Sequence, residues 1–422
     1  MTMELSRPGA EGMERWQGEL DQLRGLVSDR AITGETMLLN LGPHHPSTHG
    51  VLRLLLELDG EEIVTCLPDV GFLHTGIEKN IESKQYEKGV TLTDRMDYLA
   101  PMSNNTVFCM AVEKLGAIDV PERAQVIRII CLELTRLNSH LVWLGTHALD
   151  LGAMSVFLYA FREREMILEM FEMLSGQRMM TSYMRPGGVW RDLPPDFLPA
   201  LEKFLEYFPR KVDEYEALLT NNPIWRDRTE GIGVVEPEDA LAWGLSGPCL
   251  RASGINWDIR KAQPYMGYEQ YDFDVPLGEH GDVYDRYIIR MHEMRESTRI
   301  LKQAVKRLSG AKGGFRSDNR KFVPPPRAEL GRSMEAVIHH FKLWTEGFSL
   351  PDEEVYVAIE SPRGEIGCYL HGTGGTKPRR VRFKTPSFMH ISALGKMSQG
   401  HMIADLVAIV GSIDCVLGDS DR

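Results

Sequence analysis

The chain has 422 residues, 43% hydrophobic and 26% charged, the make-up of an ordinary globular protein long enough for two or three cores. A net charge of −12 and a pI of about 5.6 give no electrostatic case for nucleic acid as a partner. No apolar run approaches the roughly 20 residues of a membrane-spanning helix. Glu4, Arg7, Glu11, Glu14 and Arg15 interrupt the first residues where a secretion signal would be apolar. The expectation is a protein neither secreted nor membrane-spanning by its own sequence, with a peripheral place on a membrane complex left open.

Residues 1–35 are polar, with a weak helical pattern around Met13–Leu26, and read as a loosely held arm. Residues 36–74 read as a small sheet. Met37–Leu41 is a short strand, Val51–Leu58 alternates four leucines against Arg53 and Glu57, and Glu62–Leu67 alternates again after Asp59-Gly60. A glycine turn between alternating runs predicts a hairpin, here with a slightly longer loop. Residues 75–310 change to a helical period and predict a packed bundle. Val126, Ile130, Leu134, Leu137, Leu141, Leu144 and Ala148 line one face of a helix spanning Glu122–Asp150, with Pro121 before it. Ser155–Ser175, stopping at Gly176, Leu198–Leu219 and Asp282–Leu308 are three further amphipathic stretches.

Residues 311–327, rich in glycine and closing near Pro324-Pro325-Pro326, are a linker loop, and residues 328–422 a mixed α/β region. That region begins with a helix near Ser333–Trp344 and continues with strands at Glu354–Glu360, Glu365–Leu370 and Arg379–Phe383. The fold class is α+β: a small N-terminal antiparallel sheet, a central helical bundle and a mixed C-terminal region. The six cysteines, Cys66, Cys109, Cys131, Cys249, Cys368 and Cys415, form no Cys-x-x-Cys pair and are expected to be buried free thiols. A zinc or iron–sulfur site of the chain's own is not expected.

The loop Gly42-Pro43-His44-His45-Pro46-Ser47-Thr48-His49-Gly50 is the most informative segment. Its prolines and glycines restrict the backbone and so present three imidazoles, the side chains that exchange protons near neutral pH. Three readings compete: a metal site of His44, His45 and His49, a structural turn, or a donor to a bound oxidant or acid–base substrate. The metal reading lacks a ligand spacing and nearby carboxylates or thiols.

This loop, followed by Val51-Leu52-Arg53-Leu54, resembles that of the quinone-site subunits of respiratory complex I. So do His74-Thr75-Gly76-Ile77-Glu78-Lys79, Asp94-Arg95-Met96-Asp97-Tyr98, Arg136-Leu137-Asn138-Ser139-His140-Leu141 and Phe161-Arg162-Glu163-Arg164-Glu165. Leu250-Arg251-Ala252-Ser253-Gly254, Asp285-Arg286-Tyr287, Glu360-Ser361-Pro362-Arg363-Gly364-Glu365 and Gly418-Asp419-Ser420-Asp421-Arg422 complete the series in the family's order. The resemblance implies a hydrogenase large-subunit-like fold in a proton-translocating NADH:quinone oxidoreductase, inactive as an isolated chain. It implies as partners the small subunit carrying the terminal iron–sulfur cluster, other hydrophilic-arm subunits, and a membrane-embedded subunit at the quinone chamber entrance. The place implied is peripheral, on the cytoplasmic face of the bacterial cell membrane.

Carried over by motif position, His49 and Tyr98 would hydrogen-bond the two quinone carbonyls, and Asp150 would pair with His49. The residue types suit the chemistry, because quinone reduction puts negative charge on oxygens that an imidazole and a phenol can bond or protonate. A carboxylate near the imidazole favours its charged form. Taken singly, Tyr98, following charged Arg95 and Asp97, could simply anchor a loop through its hydroxyl. Asp150 is unfavourably placed for the helix dipole, a hint that something else requires it. The cluster Met166, Met170, Met173, Met179, Met180 and Met184 reads as core packing before it reads as a quinone-tail surface. Arg162, Glu163, Arg164 and Glu165 read as internal ion pairs, with coupling to a membrane arm open. With no Gly-x-Gly-x-x-Gly and no cluster ligands, electrons must come from outside the chain.

Nickel–iron hydrogenase large subunits are related, and hold their metals with four cysteines. The matching positions here are Asp97, Ala100, Val416 and Asp419, with Cys415 one place off, so no soft thiolate set can be assembled. A non-catalytic scaffold of a hydrogenase-like membrane complex is therefore the alternative reading. Many family members carry an arginine where Thr75 stands and a histidine after Gly-Gln-Arg, where Met179, Met180 and Thr181 follow Gly176-Gln177-Arg178. Losing a nearby titratable cation implies a low, weakly pH-dependent cluster potential, which favours menaquinone slightly over ubiquinone as the substrate.

Overall fold

The structure is a computed structural model and describes residues 33–43 and 50–422. The expected 1–35 arm thus falls almost wholly outside the described residues, as does His49 with the rest of 44–49.

Three strands, β1 (Met37–Leu41), β2 (Arg53–Asp59) and β3 (Glu62–Asp69), form an antiparallel sheet in that order. The alternation in β2 puts Leu54, Leu56 and Leu58 on the buried face. The hairpin is tighter than its sequence suggests. Gly60 takes a left-handed φ of 65°, Asp59 pairs with Glu62, and the extra residue is absorbed as a register shift at Glu57/Leu58.

The principal helices are α1 (Ile77–Glu82), α2 (Tyr86–Thr93), α3 (Pro101–Gly116), α4 (Glu122–Asp150), α5 (Met154–Ser175), α6 (Phe197–Leu219), α7 (Val283–Leu308), α8 (Met334–Thr345), α9 (Ile403–Ser412) and α10 (Leu417–Asp421). A two-stranded ribbon, β4 (Met184–Arg185) with β5 (Gly188–Val189), lies between α5 and α6. The C-terminal sheet is β6 (Glu354–Glu360), β7 (Glu365–His371) and β8 (Arg380–Lys384), antiparallel throughout. Helix α5 ends as expected on Gly176, whose left-handed φ of 79° lets its N–H reach the Glu172 carbonyl.

Helix α4 is the axis of the bundle, packed between α5 and α7. Its apolar stripe is buried, but so are the sides that carry Arg128, Glu133, Arg136 and His140. A one-faced amphipathic pattern is therefore the wrong description: the helix is enclosed all round and its charges are paired inside. Arg128 bonds Glu113, Glu133 meets Arg136 and Arg260, and His140 lies 2.9 Å from Glu293. Removing one member of such a set leaves an uncompensated buried charge and costs about 3–5 kcal/mol.

A second core joins the two ends of the chain. The leucines of β2 pack with Leu394, Leu406, Ile409 and Leu417 of the C-terminal helices. Asp421 clamps the turn after β3 by accepting from the Gly71 and Leu73 amides at 2.8 and 2.7 Å. Because Leu56 is fully buried in this core, Leu56→Ala is expected to cost about 2–5 kcal/mol in denaturant unfolding. Leu38→Ala, on the exposed face of β1, is expected to stay within about 0.5 kcal/mol of the parent.

Candidate functional site

Tyr98 lies in the short connection between α2 and α3, half-buried. The connection is tied down on both sides. Asp94 accepts from Asn105 Nδ2 at 2.6 Å and from Ser182. Asn104 Nδ2 donates to the Asp97 carbonyl at 3.1 Å, and Asn138 Nδ2, from α4, to the Leu99 carbonyl at 3.3 Å. Among the described residues no hydrogen bond is recorded to the Tyr98 hydroxyl. Burial pushes its phenol up, opposed by Arg363, so it is a protonated donor at neutral pH. Among the described residues an anchoring role through the hydroxyl therefore finds no partner atom; the backbone and its asparagines hold the connection.

Asp97 is fully committed. One oxygen accepts from the Leu99 and Ala100 amides at 3.0 and 3.2 Å, and the other takes Arg363 Nη1 at 2.6 Å. Arg363, in the turn between β6 and β7, also donates to Ser139 Oγ at 3.0 Å, the Asp414 carbonyl at 2.8 Å and Asp414 Oδ1 at 3.2 Å. The turn itself hangs on α4, since Arg136 donates to the Glu360 and Ser361 carbonyls at 2.8 and 3.0 Å.

Asp150, half-buried, ends α4, twelve residues beyond Asn138 and so about 18 Å further along the helix axis. The structure thus puts Tyr98 and Asp150 against one helix but not beside each other. His49 lies outside the described residues, yet its neighbour Gly50 is described. A side chain on Gly50 would come within 3.1 Å of Leu417, and one on Gly418 within 2.6 Å of the Met96 carbonyl. Adjacent residues of α10 therefore touch Gly50 on one side and the Tyr98 connection on the other.

Other expected features sort unevenly. Met170 and Met184 are core residues, while Met173 is exposed. Glu163 is buried and accepts from Arg162 Nε at 2.7 Å and Tyr207 at 2.8 Å, whereas Glu165 pairs with Arg178 at 2.6 Å, outside the expected internal set. All six cysteines are buried and free. Cys249 is unusual among them: burial resists its ionisation, but His390, Arg290 and Arg286 outweigh that and bring its thiol down to about 6. Its sequence context, Gly-Pro-Cys-Leu, carries no cation and gives no warning.

Residues 150–422 match the family model described as respiratory-chain NADH dehydrogenase, 49 kDa subunit. The match starts at Asp150 and leaves the segments of His49 and Tyr98 before it. Curated relatives extend further and include D subunits of NADH-quinone oxidoreductases. The chain is 62% identical over 389 residues to one from Herpetosiphon aurantiacus, covering 92% of each chain. To one from Chloroflexus aurantiacus it is 59% identical, over 94% of this chain and 97% of that one. To that of Geotalea uraniireducens it is 54% identical, over 92% and 99%.

The hydrogenase-type ligand positions can be judged on their donors. Asp97 is consumed by Arg363 and two amides, Ala100 and Val416 offer no side-chain ligand, and Asp419 is buried behind Ser387. Such a set does not fit a thiolate-held metal pair; a guanidinium neutralises its carboxylates instead. Burial and the nearby Asp97 raise the Asp419 carboxyl to about 7, against Ser387 and Arg363. Because that folded value lies above the unfolded one, its contribution to stability is complete below about pH 4 and is lost as pH rises through about 7. Asp419→Asn is therefore expected to raise the melting temperature at about pH 8 and leave it nearly unchanged at about pH 4. Equal shifts at both pH values would contradict the assignment.

Proposed function

The chain belongs to the family of the 49 kDa subunit of respiratory-chain NADH dehydrogenase, and from that premise we propose that it forms the quinone-reduction site of a proton-translocating NADH:quinone oxidoreductase. It is a component of an oxidoreductase complex and has that complex's other subunits as partners. Among its described residues no helix is long and apolar enough to cross a membrane. In the proposal the site faces the small subunit with the terminal iron–sulfur cluster, a membrane-embedded subunit borders the chamber entrance, and the assembly sits on the cytoplasmic face of the cell membrane.

The quinone takes two electrons from the cluster and two protons to become the quinol. Tyr98 donates to one carbonyl oxygen and His49 to the other, so charge arriving on each oxygen meets a donor already in place. Asp150 pairs with His49 and favours its charged form. The observation that carries this reading is the meeting of Gly50 and the Tyr98 connection on adjacent residues of α10. A protonated phenol that bonds no protein atom among the described residues supports it further.

In the assembled enzyme, Tyr98→Phe and His49→Ala are expected to lower quinone reductase activity about 100-fold or more. NADH oxidation by a hydrophilic acceptor that bypasses the quinone site should persist, which reports intact assembly. Normal quinone turnover in both variants would instead make the chain a scaffold.

We further assign menaquinone as the favoured substrate, on the cluster's surroundings. Thr75 and Met179 bring no titratable cation, and Arg178 is held by Glu165. A redox titration of the assembled enzyme is expected to give a low terminal-cluster potential that changes little with pH. A high potential falling steeply with pH would overturn this.

A further inference from the structure

The Tyr98 hydroxyl can serve a substrate only if the backbone beneath it is fixed, and the structure shows what fixes it. Tyr98 stands between Asp97, whose carboxylate accepts, and the Leu99 and Ala100 amides that donate to it. The turn is thus closed by a side chain bonding its own following backbone, with Tyr98 at the first corner. One carboxylate oxygen does that work. The other is held at 2.6 Å by Arg363, which is fully buried.

Arg363 has five N–H groups, and four hydrogen bonds to protein atoms account for most of them: Asp97 Oδ2, Ser139 Oγ, the Asp414 carbonyl and Asp414 Oδ1. A side chain so occupied, with no exposed surface, does not reach a substrate. Its own backbone is equally confined. A side chain on Gly247, which has a left-handed φ of 61°, would come within 2.6 Å of the Arg363 carbonyl and 2.5 Å of Gly364 Cα. Arg136 holds the two residues at the start of the same turn to α4. A rigid line therefore runs from α4 through the 360–364 turn and the guanidinium to Asp97.

We propose that Arg363 is a positioning residue for quinone reduction: by clamping Asp97 it fixes the turn that aims the Tyr98 hydroxyl. The proposal rests on the reading of Tyr98 as a quinone donor. Burial favours the neutral Asp97 carboxyl, and the guanidinium opposes that. A protonated Asp97 would turn one acceptor oxygen into a donor facing the arginine, and the turn would loosen. Lysine cannot replace the clamp, because a single ammonium lacks the planar fork that spans Asp97 and Asp414 together.

The test uses the assembled membrane enzyme with Arg363→Lys, Tyr98→Phe and the double variant, assayed with a short-chain quinone. Cluster signals and NADH oxidation by a hydrophilic acceptor serve as the measure of assembly. Arg363→Lys is expected to reduce kcat/KM for quinone about 100-fold, with cluster signals unchanged. Placed on Tyr98→Phe, the same substitution is expected to add almost nothing, since its effect passes through the phenol. The proposal is overturned if Arg363→Lys turns over like the parent, or costs the same factor with and without the phenol. Should Arg363→Lys fail to assemble, Asp97→Asn takes its place. That variant keeps an oxygen for the two amides but sets an amide donor against the guanidinium, and the same two outcomes apply. If Tyr98→Phe alone leaves quinone turnover normal, the underlying reading of Tyr98 fails, which is a separate result from failure of the clamp.

Discussion

A guanidinium shut away from water cannot shed its charge, so the protein around Arg363 must supply negative charge and hydrogen-bond acceptors from several directions at once. It does so with Asp97 from the α2–α3 connection, Asp414 from the chain before α10, and Ser139 from α4. Three segments, two of them more than 200 residues from Arg363 in the chain, are thereby brought to one atom group. Moving any of them would leave a charge or an acceptor stranded. A buried ion pair adds little net stability over a well-packed apolar substitute, but its geometry is demanding. Its value here lies in precision of placement rather than in strength.

The same logic extends along α4. Arg251 meets Glu293 and, at 2.8 Å, Glu360, and Arg260 meets Asp258 at 2.7 Å and Glu133 at 3.2 Å. Burial lowers His140 despite its bond to Glu293. The bundle is thus laced by paired charges from its middle to the 360–364 turn, and each pair demands a specific placement of the elements that carry it. Together with the glycine contacts at Gly247 and Gly418, this fixes the backbone on which Tyr98 is mounted.

Much of the secondary structure was legible because it is local. Pro121 and the 3.6-residue period gave α4 its bounds, Gly176 ended α5, and period-two leucines marked β2. The fold class followed from those patterns. Local signals cannot report what lies across the chain, and there the reading ran short. Nothing near Arg363 announces Asp97, 266 residues away, and nothing in β3 announces the clamp from Asp421. Likewise the buried charges of α4 look like a solvated face until Arg251, Arg260 and Glu293 are seen opposite them. The shift in Cys249 has the same origin, since His390 and Arg290 come from other elements. Tyr98 was found through its motif and not through any periodicity, and the structure explains why: it belongs to a connection.

The interior around Arg363 sets a specific physical problem of charge balance. Burial raises the Asp419 carboxyl, and repulsion from the nearby Asp97 in the same dry interior adds to it. One arginine, bonded directly to Asp97 and Asp414, balances most of this charge, and Asp419 takes up a proton readily as the third carboxylate. The charge of this interior is then settled inside the chain, without drawing on the phenol of Tyr98 among the described residues. In the quinone reduction proposed above, which needs donors at two oxygens, a phenol on a fixed backbone is the useful outcome of that settlement.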